Sequence, residues 1–372
     1  VKLAFRLALA QALALVLVPA LPAAPFSGIP GRASLVDCAA GQTIGRALAR
    51  LDKGRPSVLR VSGTCHESVT VEGFDDLRIV GAPGAAIESV AGATAYPVTV
   101  SASRSVSVES LTVRVTDSAW KPAFSFWGCA ACRLTDVTVE GGTTFWALEW
   151  SQVTALRLRH TGVGGSGPIV ANSKLDMDDS TFDGGGNAAC GLQVAENGVA
   201  VVRASAFRRF YSGVCAASGG QAHFWNANAI EDNLCSGIQV RNAGHVEVHQ
   251  STIQGNGGTC FAGGIHVDLA GRLFIDTTAV RNNSGGGIVL DHQSFAGLGA
   301  GTVVSGNNQG GLRVKNGSMA VAPGSPGQMV EVSGSSGGAD LFCDSTSHVN
   351  NAAQIGGATS TQCPNLHAGD AP

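Results

Sequence analysis

Charge is what this sequence has least of: Asp, Glu, Lys and Arg make up 14 % of it, against roughly 25 % in an ordinary soluble domain. Aromatic residues are also sparse at 6 %, with two Tyr, and there are three Met. A disordered chain kept open by its own charge is therefore excluded, as is a long helical bundle, which needs Ala, Glu, Lys and Leu at helical period. The 24 Lys and Arg are scattered and the formal net charge is −3. Nothing forms a basic stripe, so neither nucleic acid nor an anionic membrane surface is an expected partner. What is abundant is Gly, 51 residues, and there are ten Cys in the 372.

The one long apolar run is at the start. Lys2 and Arg6 precede Leu7 to Val18, and the small and proline residues of Pro19-Ala20-Leu21-Pro22-Ala23-Ala24 follow. This is the pattern of a secretory signal over 1–24; the alternative, an uncleaved anchor, needs a run of about 20 apolar residues. The nearest Cys is Cys38, which speaks against a lipoprotein anchor. A secreted or periplasmic location is expected, with no membrane attachment after cleavage. In that compartment ten thiols are expected to pair. Cys38 with Cys65 and Cys343 with Cys363 read as staples of the two ends, and Cys129 with Cys132 as a small local bridge rather than half a zinc site. Cys190, Cys215, Cys235 and Cys260 allow three pairings. Cys190 with Cys215 and Cys235 with Cys260, each 25 apart, would join successive repeats.

The repeat itself starts with Gly, an apolar residue, any residue and usually a second apolar one. It reads Gly191-Leu192-Gln193-Val194, then recurs at Gly213, Gly237, Gly264, Gly287 and Gly311, with spacings of 22, 24, 27, 23 and 24. A second alternating segment follows, as in Val246-Glu247-Val248, and then a third with one apolar residue, Phe207, Ile230, Ile253, Val280 or Val304. Three residues later stands Asn233, Asn256, Asn283 or Asn307. Period-2 alternation means short strands with one buried face, so three strands per repeat make a triangular coil. One coil cannot bury its inner face, so coils must stack in parallel about 4.8 Å apart. Asn at the same corner of each coil can then hydrogen-bond to its counterparts, which reads as a structural ladder. Looser copies begin near Val69, Val98, Phe124, Leu148 and Ile169. The expected organisation is 25–57 as linker and an amphipathic capping helix, about eleven coils over 58–343, and a disulfide-closed cap or tail over 344–372. The helix is expected from Ile44, Ala47, Leu48 and Leu51.

Val36-Asp37-Cys38, the helix, Val61-Ser62-Gly63-Thr64-Cys65-His66-Glu67-Ser68-Val69-Thr70-Val71 and Leu77-Arg78-Ile79-Val80-Gly81 resemble the N-terminal module of secreted bacterial right-handed parallel β-helix repeat proteins. The Gly-led repeats resemble the same family. The resemblance implies an all-β, right-handed parallel β-helix of the pectin-lyase-like fold. It implies function weakly, since that fold carries pectate lyases, polygalacturonases, uronan epimerases, phage tailspikes and proteins of no assigned activity. The Asn-Thr-Asp, Gly-His-Gly and Arg-Ile-Lys series of polygalacturonases is missing.

Candidate chemistry lies at outward positions. On the first strands, Gln239 and Arg241, His266 and Asp268, Val289 and Asp291 with His292, and Arg313 and Lys315 stack in successive coils. Asp268 and Asp291, one coil apart, should raise each other's pKa, while Arg241 and Lys315 lower both. Such a group offers a carboxylate or His as base and a cationic clamp, as a polysaccharide lyase or uronan epimerase needs; it is equally the pattern of a solvated ion-pair ladder. His266, Asp268, Asp291 and Arg241 are thus the candidate catalytic residues, with His292 and Lys315 beside them. On the second strands one column is expected to hold Arg159, Asp178, Arg203, Trp225, His249 and Asp276, and its neighbour His223 and Glu247. An outward Trp225 flanked by His and carboxylate suits a sugar ring. The acidic run Asp176, Asp178, Asp179 and Asp183 has oxygen ligands of the kind Ca2+ takes. Arg157 and Arg159 are expected beside it one coil back, no calcium-binding loop surrounds it, and no cofactor or metal is expected. Two readings follow: a secreted β-helix protein that interacts with an extracellular polysaccharide, as lyase or epimerase, and a non-catalytic structural or adhesive β-helix. Nothing in the sequence sets an oligomeric state.

Overall fold

A computed structural model describes residues 32–366 except 118–119, 163, 259–262, 324 and 326. The expected signal segment and Cys260 lie outside the described residues. The chain winds into a parallel β-helix of about 13 turns, two more than the repeat count implies. All second strands form one parallel ladder of 14, from Arg32–Asp37 to His348–Asn350. First and third strands share the other sheet, of 24 strands, because in two coils, Thr181–Ala195 and Ala206–Ala216, the third strand runs into the next first strand. The extra turns come from the ends. Arg32–Asp37, in the stretch expected to be linker and cap, pairs with Ser57–Ser62 as the first rung, and rungs continue past Cys343 to Thr361–Gln362.

Alternation produces the burial that the pattern requires. In His245–His249 Val246 and Val248 are buried between three partly exposed polar side chains, and they stand in register over Leu273 and Ile275 of the next coil. The Gly that opens each repeat is set by close approach: a Cβ on Gly264 would lie 2.4 Å from the Gly287 carbonyl oxygen and 2.6 Å from Val280 Cγ1. The asparagine ladder is present. Asn233 Nδ2 donates to Asn256 Oδ1 at 2.9 Å, Asn256 to Asn283 at 3.0 Å, and Asn283 to Asn307 at 2.8 Å. Each Oδ1 also accepts the main-chain N–H of the preceding Asn.

A second ladder runs along the corner between second and third strands. Ser180, Ser205, Asn228, Ser251 and Thr278 are buried there, and side-chain oxygens accept main-chain N–H groups one coil back, as Ser205 Oγ does from Ser180. The residue before each takes the left-handed conformation, Asp179, Ala204, Ala227, Gln250 and Thr277, so the polar step satisfies groups exposed by a sharp bend.

The capping helix is one short piece, Ile44–Leu48, with Ile44 and Leu48 buried. Thr43 accepts from the Arg46 N–H, and Glu67 accepts from the N–H groups of Ile44 and Gly45 at 2.6 and 3.0 Å. The first turn's free donors are thus satisfied by a residue just past Cys65. Cys38–Cys65, Cys129–Cys132, Cys190–Cys215 and Cys343–Cys363 are bonded as the spacing predicts. Cys235 is also disulfide-bonded.

Candidate functional site

The first-strand face carries the charged cluster. Gln239, His266, Val289 and Arg313 are in register across four coils. Arg241, Asp268, Asp291 and Lys315 occupy one equivalent position just beyond these strands, each main-chain N–H bonding the coil before. The structure therefore brings His266, Asp268, Asp291, Arg241, His292 and Lys315 together. Their partners differ. His292 Nδ1 lies 2.7 Å from Asp268 Oδ1, and Lys315 Nζ lies 3.5 Å from Asp291 Oδ2. Asn316, which sequence reasoning missed, donates to Asp291 at 2.5 Å.

The expectation that the two aspartates raise each other fails at Asp291. Burial pushes its carboxyl up, but the Asn316 amide, Lys315 and His292 outweigh this and hold it below the usual carboxylate value. His266 moves the same way for another reason. Burial pushes its imidazole below the ordinary 6.5, Arg241 and Lys315 add to that, and Asp268 and Asp291 only partly oppose it. Among the described residues the His266 imidazole has no hydrogen-bond partner. His266 is thus a neutral base at neutral pH, with an unengaged imidazole, near two carboxylates that are already paired.

The second-strand face carries the other cluster. Glu247 Oε2 lies 2.9 Å from His223 Nδ1, and His245 Nε2 is 3.3 Å from Oε1. His249 Nδ1 lies 2.9 Å from Asp276, and its ring stacks on Trp225 at 3.8 Å with an interplanar angle of 4°. Trp225 is 39 % exposed, so it points outward as expected. Burial pushes His245 below its ordinary value, more than Glu247 can restore. Burial raises Glu247 less than the His223 hydrogen bond and the charges of all three histidines lower it.

Arg159 is not in this column. The second strand of its coil ends at Leu156, which pairs with Asp178, and Arg157 makes the left-handed corner. That places Arg159 on the third strand, beside Thr138 and Thr181. The acidic run also has other partners than expected. Arg157 pairs with Asp136 at 2.5 Å, Asp176 with Arg203 at 2.5 Å, and Asp183 with Arg209 and Arg208. Among the described residues, one group of three potential metal ligands lies within 4.8 Å of one another, Cys38, Cys65 and Glu67. Its sulfurs are in a disulfide and its carboxylate caps the helix.

His245, Phe274 and Phe295 also line the second-strand face, and sequence reasoning did not single them out. The period-2 alternation that exposes Glu247 exposes His245 as well, and the same register carries Phe274 outward beside Glu247.

Residues 169–325 match the family described as right handed beta helix region, and the coil is right-handed with the pectin-lyase-like architecture. Nothing among curated proteins matches the sequence. Among solved structures, the chain is similar to the catalytic domain of a GH87 alpha-1,3-glucanase in complex with tetrasaccharides, at 13 % identity and TM-score 0.53 over 90 % of this chain and 68 % of that one. It is also similar to the periplasmic alginate epimerase AlgG, at 9 % identity and TM-score 0.50 over 90 % of this chain and 83 % of that one. At these identities the likeness is one of fold. No helix among the described residues is long and apolar enough to cross a membrane.

Proposed function

We propose that this is an extracellular or periplasmic protein that acts on an acidic polysaccharide, removing the proton beside a uronate carboxylate as a lyase or epimerase does. The observation that carries the reading is His266, a neutral imidazole with no hydrogen-bond partner among the described residues, in a cluster that also supplies Arg241 and Lys315. Proton abstraction next to a carboxylate needs a base that is unprotonated at working pH and cations that neutralise the charge developing on the carboxylate. His266 serves as the base and Arg241 and Lys315 as the clamp. Asp268 and Asp291 hold His292 and Lys315 in place rather than reacting, since both are engaged. The resemblance in fold to an alginate epimerase is compatible support, and the disulfides suit an oxidising compartment.

Incubation with polymannuronate, polyguluronate or polygalacturonate in D2O tests this for lyase and epimerase alike. Deuterium should enter at the uronate carbon beside the carboxylate, or an unsaturated uronate should form. His266→Asn should lower the rate about 10²- to 10⁴-fold while the circular dichroism stays unchanged. Because the imidazole sits below 6.5, the acidic limb of the rate profile should fall below that value. Neither label nor unsaturation with any of the three polymers would leave the cluster as an ion-pair ladder on a non-catalytic β-helix.

A further inference from the structure

The second-strand face contains a step that the charged first-strand cluster does not use. Its outward positions are filled by His223, Glu247 and Phe274 in successive coils, and then by Gly297. Beside them Trp225, His249 and Asp276 are followed by Gly299, where a Cβ would lie 2.4 Å from Asp276 Cβ. Bulk therefore ends abruptly in two adjacent columns. The result is an open groove of about 480 Å3 walled by Trp225, His249 and Asp276, with Phe274 and Phe295 over a floor of Gly297 to Gly299. The Phe274 ring leans across the floor, since a Cβ on Gly297 would come within 2.7 Å of its Cδ1. Phe274 is 40 % exposed and meets Phe295 at 5.6 Å.

We infer that this groove is a second binding site, for a neutral sugar residue of a glycan chain. The exposed aromatic rings offer an apolar face to the C–H face of a pyranose, and Glu247 and Asp276 offer acceptors for its hydroxyls. Each carboxylate is steadied by a histidine, Glu247 by His223 and Asp276 by His249. No Arg or Lys lines the groove itself; Arg272 stands on the same face in register with Phe295, so a uronate in the groove would meet Glu247 and Asp276 directly and a cation only at the edge. Charge thus separates the two faces: the first-strand cluster has a cationic clamp, and this groove, lined by carboxylates, favours uncharged rings. The inference stands on its own residues, whatever the first-strand cluster does.

Affinity electrophoresis through gels containing dextran, starch, laminarin, galactomannan or alginate reads it directly. At least one neutral polymer should retard the protein while alginate competes for nothing at the groove. Phe274→Ala should weaken that retardation about tenfold, and so should Phe295→Ala, with unchanged circular dichroism and unchanged deuterium exchange on uronates. Retardation by none of the four neutral polymers overturns the assignment. So does retardation that both Phe variants leave intact, or light scattering that shows a dimer lost on Phe274→Ala, which would mean that a second copy covers the rings.

Discussion

The coils around Phe182 and those around Asn256 enclose similar space with different material. From Phe124 to Phe224 the core carries rings among its aliphatic side chains: Phe126 meets Phe145 edge-on at 5.8 Å, and Phe182 stacks on Phe207 at 5.1 Å. From Ile230 onward the third-strand column is Ile230, Ile253, Val280 and Val304, and the Asn ladder fills the corner. The two regimes meet at Phe210, whose N–H donates to Asn233 Oδ1, while Asn233 Nδ2 donates to the Phe207 carbonyl. Aromatic coils are specified by volume and tolerate irregular corners. The Asn ladder demands an Asn at one fixed corner, and the sequence signal is sharpest where it runs, whereas the aliphatic coils of Val69 and Val98 carry a loose repeat.

The sharpest way to break this comparison is Phe182→Ala. If volume specifies the aromatic coils, the cavity should cost about 3–5 kcal/mol in urea unfolding; a loss under about 1 kcal/mol would mean that the coils collapse around it. Asn256→Ala should come next. It strands the Asn233 N–H and the Ile230 carbonyl, each an unsatisfied buried group worth about 1–3 kcal/mol. Asn307→Ala, at the end of the ladder, should cost less than Asn256→Ala, and equal losses would deny that the ladder is cooperative. At neutral pH the smallest effect belongs to His160, a histidine in the aromatic column, whose contribution appears only on acidification.

His160 is buried against Phe182 and Phe210, with Nε2 3.1 Å from the Gly142 carbonyl oxygen and Nδ1 unpartnered. Burial pushes its pKa from 6.5 to about 4. The unfolded chain therefore binds this proton first as pH falls. Stability is full above pH 6.5 and is lost between 6.5 and about 4, by about 2 kcal/mol already at pH 5. His160→Phe should flatten that part of the stability profile, and an unchanged slope would show that the ring is not held neutral.

Much of the architecture could be read from alternation and from Gly and Asn spacing, because these report backbone geometry directly. Val246, Val248, Leu273 and Ile275 point inward as their period requires, and His266, Asp268 and Asp291 gather because equal spacing becomes equal position. What escaped depends on where corners fall. Arg159 lies one strand later than alternation alone implies, because Arg157 makes a left-handed corner with no Gly or Asn to mark it. The Ser and Thr steps at the second corner are too common as residue types to stand out. Arg32–Asp37 lacks the Gly-led signature, so the first rung was hidden. At the candidate site the residues were legible but their engagement was not, since Asn316 reaches Asp291 from a neighbouring turn.

The end bridges have a consequence for how such a stack comes apart. Each coil leans only on its neighbours, so a bare column would fray from its tips inward like a zipper. Cys38–Cys65 and Cys343–Cys363 clasp the outermost rungs to those beside them. With both tips clasped, an end rung cannot separate from its neighbour alone, so fraying must release a linked pair instead of a single rung. Oxidation thus adds to the restriction of the unfolded chain a larger first step on the way out of the folded state. A reducing environment would restore the easy path from the ends.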